Sequence, residues 1–133
     1  MADALTVELV AADRIVWSGE ATMVIAKTVD GDIGVLRGHA PVLSLLSESV
    51  VEITADSGET VYAVADGGFL SVAHDRVSIL SERAQLASEI DVDQARAELE
   101  EAKAAGEGED ADRRIRAAEA RIRVVERDNG SSS

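Results

Sequence analysis

His39 and His74 are the only histidines of this 133-residue chain, and beside them stand 26 aspartates and glutamates that could share protons or a cation. Their spacing assembles neither function. Two histidines cannot form a multi-histidine metal site, and with no cysteine there is neither a thiolate site nor a disulfide. Serine, histidine and aspartate all occur, yet no serine sits in a nucleophile elbow, and the carboxylates fall in stretches that read as turns and solvated faces. No catalytic and no metal-binding residue is therefore assigned. The chain also lacks G-x-x-x-x-G-K-[ST] and G-x-G-x-x-G, so its glycines form no known phosphate cradle.

Recognition is left as the chemistry to look for. The run Asp30-Gly31-Asp32-Ile33-Gly34-Val35-Leu36-Arg37-Gly38-His39-Ala40-Pro41-Val42-Leu43 holds three glycines, a histidine and the only proline. Gly31 and Gly34 permit angles that other residues resist, and Pro41 keeps Ala40 out of the helical region, so this reads as a shaped, exposed loop with Asp32 at its apex. For His39 the plain reading is a loop histidine held by local backbone bonds, with a partner contact as the sharper one. Gly67-Gly68 reads as a bulge or tight turn.

These residues need elements to position them, and the texture of the chain divides near residue 86. Before it, Leu5, Val7 and Leu9 alternate with polar residues, Trp17-Ser18-Gly19-Glu20 reads as a turn, and Thr22–Lys27 reads as a strand leading into the glycine run. Two hairpins follow, one around Ala55–Glu59 and one around Ala73–Arg76. Many short strands predict a β-sandwich or flattened barrel over residues 1–86.

After that point the sequence turns to alanine, glutamate and arginine, which predicts two helices. Asp91 with Gln94 three residues on predicts an N-cap, and Val92, Ala95, Leu99 and Ala102 then recur at helical spacing. Gly106-Glu107-Gly108 breaks the pattern, and Ala111, Ile115, Ala118, Ile122 and Val125 form a second stripe led by Asp110 or Asp112 as cap. The expected fold is thus α+β, an N-terminal β-sandwich followed by an antiparallel two-helix hairpin over residues 87–127 and a disordered tail over 128–133. The small residues Ala95, Ala102, Ala111 and Ala118 let the helix axes approach. Short helices are marginal alone, so the hairpin needs a surface to dock on.

Charge narrows the partners. The formal net charge is -13, which disfavours nucleic acid and anionic lipid, and Trp17, Tyr62 and Phe69 are too few aromatics for base stacking. No apolar run is long enough to cross a bilayer, and the opening Met1-Ala2-Asp3 lacks a basic signal region, so no direct membrane insertion is expected. The acid excess lies mainly in residues 1–86, whereas Arg113, Arg114, Arg116, Arg121, Arg123 and Arg127 bring the last helix close to neutrality. The plain reading of Arg113, Arg114, Arg116, Arg121 and Arg123 is a solvated face with support such as Glu119 to Arg123.

The spacing G-x-x-G-x-L-x-x-H-x-P, filled by Gly31, Gly34, Leu36, His39 and Pro41, resembles the loop of the epsilon subunit of bacterial F-type ATP synthases. Gly67-Gly68-Phe69-Leu70-Ser71-Val72 resembles the family's G-G-x-L-x-V strand, and Glu89-Ile90-Asp91 falls where the family starts its helical hairpin. The resemblance spans residues 3 to 127. It implies a non-catalytic rotor subunit that couples proton-driven rotation of the membrane ring to ATP synthesis, with a hairpin able to inhibit ATP hydrolysis. The implied partners are the gamma subunit, the loops of the membrane c-ring through Gly31, Asp32 and His39, and the alpha/beta head through the arginines of the second helix. The implied location is peripheral, on the cytoplasmic face of the cell membrane.

The family also raises ATP as a weak regulatory ligand, held by an I-D-x-x-R-A motif with arginines of the second helix. Ile90, Asp91 and Ala95 match that motif and Arg121 is a further candidate, but Gln94 stands where the family has arginine, which removes a charge-assisted contact. No other cofactor is implied. The rival reading is a stand-alone β-sandwich that binds a protein or small ligand, and a weaker one is a hydrolase with unpaired carboxylates.

Overall fold

The computed structural model describes residues 4–131. Nine strands come first: β1 (Leu5–Ala11), β2 (Arg14–Thr28), β3 (Gly31–Leu36), β4 (Val42–Leu45), β5 (Glu48–Ala55), β6 (Thr60–Asp66), β7 (Phe69–Ala73), β8 (Arg76–Leu80) and β9 (Ala84–Leu86). A short 3-10 turn at Ala87–Glu89 leads to helices α1 (Val92–Ala104) and α2 (Glu109–Ser131).

Hydrogen bonding follows the path β4-β7-β8-β1-β2-β5-β6-β9, with β3 beside β2. All pairs are antiparallel except β1 with β8, where Thr6 faces Arg76 and Val10 faces Leu80. Strand β2 links the two layers of the sandwich. Its first half pairs with β1, and its second half lies between β3 and β5. A bridge from Thr28 to Leu46 and the bond from the Val29 amide to the Leu45 carbonyl join the far ends, so the sheet curls over one core. Alternation fills that core: Leu5, Val7 and Leu9 of β1, Val24 of β2, Val51 and Ile53 of β5, and Val77 and Ile79 of β8 are all buried.

Strand β6 shows why its sequence is an unbroken apolar run rather than an alternation. Val61, Ala63 and Ala65 face the sandwich core, while Val64 and Tyr62 join a second cluster with Val50, Ala87, Ile90, Ala120, Val124 and Val125. Helix α2 packs on β5 and β6 and on the 3-10 turn, whereas α1 packs on α2. The hairpin is thus folded back on the sandwich. Ala95 and Ala102 of α1 and Ala111 and Ala118 of α2 are buried, as close approach of the axes requires.

Several local expectations are corrected. Trp17–Glu20 is no turn but the middle of β2, paired with Thr6–Leu9, and the chain reverses earlier, at Ala12-Asp13. Gly19 is there for space: a Cβ would lie 3.0 Å from the Trp17 ring. The first half of the glycine run is strand β3 while residues 37–41 form the expected loop, and Gly34 adopts no left-handed angle, unlike Gly31 at φ 123°. Asp32 is not at an apex but within β3 opposite Lys27, and the turn is Val29-Asp30. Helix α2 starts at Glu109, which puts Asp110 and Asp112 inside its first turn rather than at the cap. The expected disordered tail is helical as far as Ser131, and Ser132 and Ser133 lie outside the described residues. Asp91 caps α1 as expected, its Oδ1 accepting the amides of Asp93 and Gln94 at 3.0 and 3.1 Å.

Candidate functional site

Three surfaces carry the candidate residues. The first is the seam between α2 and the sheet. On its outer side β5 presents Glu48, Val50 and Glu52, and β6 presents Tyr62, Val64 and Asp66, because alternate residues of a strand share a face. Arg121 enters this seam and is only 5% exposed. Its guanidinium forms a fork on Asp66, at 2.9 Å to Oδ1 and 2.8 Å to Oδ2. Its Nε donates to Gln85 Oε1 at 2.9 Å and its Nη1 to the Ala117 carbonyl at 3.1 Å. Arg116 with Glu48 at 3.1 Å and Arg127 with Glu52 at 3.6 Å flank this pair along the same helix.

These arginines are therefore not a plain solvated face. About every one and a half turns α2 sends one of them to a carboxylate of β5 or β6. Arg113 pairs within its own helix with Asp110 at 2.9 Å, and Arg114 lies 3.8 Å from Glu101 of α1. Sequence periodicity missed Ala120, Arg121 and Val124 as the docking face, since the stripe through Ile115 and Ile122 is the more apolar one. The signal was present in the neutral alanine at 120 and valine at 124, four apart.

Each candidate nucleotide residue is engaged by the protein itself. Ile90 packs against the Val64, Ala87, Ala120 and Val124 cluster, Asp91 caps α1, and Ala95 is buried. Gln94 is exposed. A cleft of about 280 Å³ opens beside Arg121, lined by Glu48, Asp66, Glu82, Arg83, Arg113 and Arg114. Its three acids oppose its three arginines, so it offers a polyphosphate no net attraction. A second cleft, of about 130 Å³, is lined by Arg83, Glu98, Arg114 and Arg121, and there the Arg121 fork is already taken by Asp66.

The second surface is the β2–β3 turn with the following loop. Thr28 Oγ1 donates to the Gly31 carbonyl at 2.7 Å and accepts the Asp30 amide at 3.1 Å, which fixes the turn. The Gly38 amide donates to Asp75 Oδ1 at 2.7 Å, tying this loop to the β7–β8 turn. His39 Nδ1 lies 2.7 Å from the Ala40 carbonyl and its amide donates to Leu36, so it is held by local backbone bonds. Gly31 and Asp32 are exposed and His39 half-buried.

The third surface was not foreseen. Ile15, Val10, Leu80, Phe69 and Leu45 are register partners across β2, β1, β8, β7 and β4, and so form one row on the outer face. Leu45 is 64% exposed and Ile15 60%, and Leu43 stands beside them at 72%. Scattered apolar surface residues are ordinary, whereas a contiguous row marks a place where something docks.

Arg14 and Glu89 make a bidentate pair at 2.8 Å for both contacts, bracing the 3-10 turn against β2. The hydrogen bond from Arg14, helped by the Leu86 amide, holds the Glu89 carboxyl below its ordinary value, and the Arg14 guanidinium is raised by the same bond. Among the described residues no cluster of histidine and carboxylate side chains is arranged to hold a metal ion, and no helix is long and apolar enough to cross a membrane.

Residues 4–87 match the β-sandwich domain of the ATP synthase delta/epsilon chain, which defines the class to which this sandwich belongs. An ATP synthase epsilon chain of Rhodococcus jostii is 51% identical over 124 residues, covering 92% of this chain and 97% of its own length. An epsilon chain of Streptomyces griseus is 57% identical over 95 residues, covering 71% and 77%. The fold matches a chain in the mitochondrial ATP synthase of Euglena gracilis with a TM-score of 0.72 at 24% identity, over 100% of this chain and 84% of that one. The chain belongs to the ATP synthase epsilon-chain family, and is thus a non-catalytic subunit of that complex.

Proposed function

We propose that this chain is a rotor part of the central stalk, lying peripherally on the cytoplasmic face of the cell membrane and coupling ring rotation to ATP synthesis. The exposed row Ile15, Val10, Leu80, Phe69 and Leu45 carries this reading. It lies on the strands left bare by the hairpin, and it suits a permanent apolar interface with the gamma subunit. The β2–β3 turn, with Gly31 and Asp32, and the loop with His39 would meet the polar loops of the c-ring. Residues 1–86 then form the assembling module and 87–127 the regulatory one, whose arginines would meet the alpha/beta head once released from Glu48, Glu52 and Asp66.

The test is Phe69→Lys with Leu45→Lys in the assembled enzyme. Both side chains are exposed, so the isolated chain should melt normally while co-purification with gamma is lost. Full assembly with both lysines in place refutes the assignment. A stand-alone binding module would come away without stalk proteins even in its unmodified form. Cysteines at Asp30 and Asp32 should cross-link to ring loops, and failure at every position from Val29 to His39 refutes the ring contact.

A further inference from the structure

Arg121 is the largest charged group taken out of solvent among the described residues, and the docking of the hairpin turns on how it is satisfied. An arginine offers five N–H donors. Asp66, Gln85 and Ala117 engage four of them, with distances of 2.8 to 3.1 Å. The two outer partners come from β6 and β9, adjacent strands whose register places Gln85 opposite Val64. The clasp therefore spans three elements distant in sequence and closes only when α2 lies on the sheet. Around it the apolar contact is small: among the described residues of α2, Ala120 and Val124 are buried and Val125 partly buried against Val64 and Ala87.

We propose that the folded-back hairpin of this chain is closed by its own side chains, with Asp66 and Gln85 clasping Arg121, and that ATP takes no part in holding it. The proposal deepens the regulatory reading of the hairpin and rests on it. An anionic ligand seeking Arg121 must displace a bidentate carboxylate already in contact at 2.8 and 2.9 Å. Asp91 is likewise committed to the amides of Asp93 and Gln94. Removing Asp66 does not simply delete a contact, because it strands a buried cation, which is far costlier than replacing the whole pair by apolar groups.

Amide hydrogen exchange on the isolated full chain tests this. In the unmodified protein, exchange along residues 109–131 should be the same with and without millimolar Mg-ATP. Asp66→Asn should raise exchange there by roughly a hundredfold, as stranding a buried charge implies, while β1, β2 and β8 stay protected. Asp66→Leu with Arg121→Met should restore most of the protection. Gln85→Leu, which keeps the fork, should give a smaller rise and serves if Asp66→Asn fails to fold. Slowed exchange on adding ATP overturns the proposal, as does unchanged exchange in both Asp66→Asn and Gln85→Leu. Because the measurement needs no partner, it can fail while stalk assembly succeeds, and the reverse.

Discussion

Replacing Gly68 by alanine should cost this protein much of its stability. Gly68 sits at φ +102°, and a Cβ built there lies 1.9 Å from the Leu80 carbonyl oxygen and 2.9 Å from both Leu80 C and Ser81 Cα. All three are backbone atoms, so no side chain can swing aside. That stretch is also pinned, since Leu80 pairs with Phe69, the Ser81 amide donates to Val10 at 3.0 Å, and Gly68 itself accepts the Leu46 amide at 2.8 Å. The left-handed angle contributes roughly 1–2 kcal/mol and the overlap about 1–3 kcal/mol, or roughly 2–5 kcal/mol together. Against a total of about 5–15 kcal/mol, that is a large share. At about 4 °C per kcal/mol for a domain of this size, the melting midpoint should fall by roughly 8–20 °C. Gly34→Ala is the matched control, because Gly34 has an ordinary strand angle and nothing within 4 Å of the new Cβ. It should leave the midpoint unchanged or raise it slightly, by reducing the freedom of the unfolded chain. Thermal melts followed by circular dichroism decide the matter. A Gly68→Ala midpoint within about 3 °C of the parent, or equal losses in the two variants, refutes the reasoning.

Glu89 is held below its ordinary carboxylate value, so its stabilising effect is complete above that value and is lost as pH falls through the lowered one. Glu89→Gln should therefore flatten the loss of stability on acidification below the unperturbed value of 4.5, measured by denaturant titrations across that window. Gly19→Ala should push the Trp17 ring outward at a cost of about 1 kcal/mol, read as a red shift of emission from the single tryptophan. Truncation after Ser88 should leave a cooperatively folding β domain, because its core cluster draws nothing from the helices, but one that binds an apolar dye through the uncovered Val64, Tyr62 and Val50. Loss of a cooperative transition would show that the sandwich depends on the hairpin.

Most strands were legible because their residues alternate, as in β1 and β5, where one face is buried and the other is not. The helices were legible from the Asp91 cap and from the Gly106-Glu107-Gly108 break, where Gly106 and Gly108 take φ of 99° and 134°. The errors at Trp17–Glu20 and in the glycine run share one physical cause. Local composition marks where a glycine stands but not why, and Gly19 and Gly34 belong to strands, one of them making room for a tryptophan ring. The Arg121 clasp was invisible because Asp66 and Gln85 lie 55 and 36 residues away. Helical periodicity favoured the stripe facing α1 over the smaller one facing the sheet. The apolar row was equally hidden, since Ile15, Leu80, Phe69 and Leu45 become neighbours only through strand register.

The parallel pairing of β1 with β8 sets the order in which this molecule can fold. Thr6 meets Arg76 and Val10 meets Leu80, contacts that enclose almost the whole sandwich. On a ribosome, β1 and β2 can form their hairpin early, but the free edge of β1 stays unpaired until β8 has emerged. Such long-range closure is entropically costly and slow, in the millisecond-to-second range typical of all-β topologies. An exposed strand edge in that interval is an invitation to pair with the wrong neighbour. The hairpin comes later still, because α2 is the last element of the chain and the Arg121 clasp is complete only once β6 and β9 are joined through Val64 and Gln85. Its docking therefore reports the closure of the strands it lies on, β5, β6 and β9.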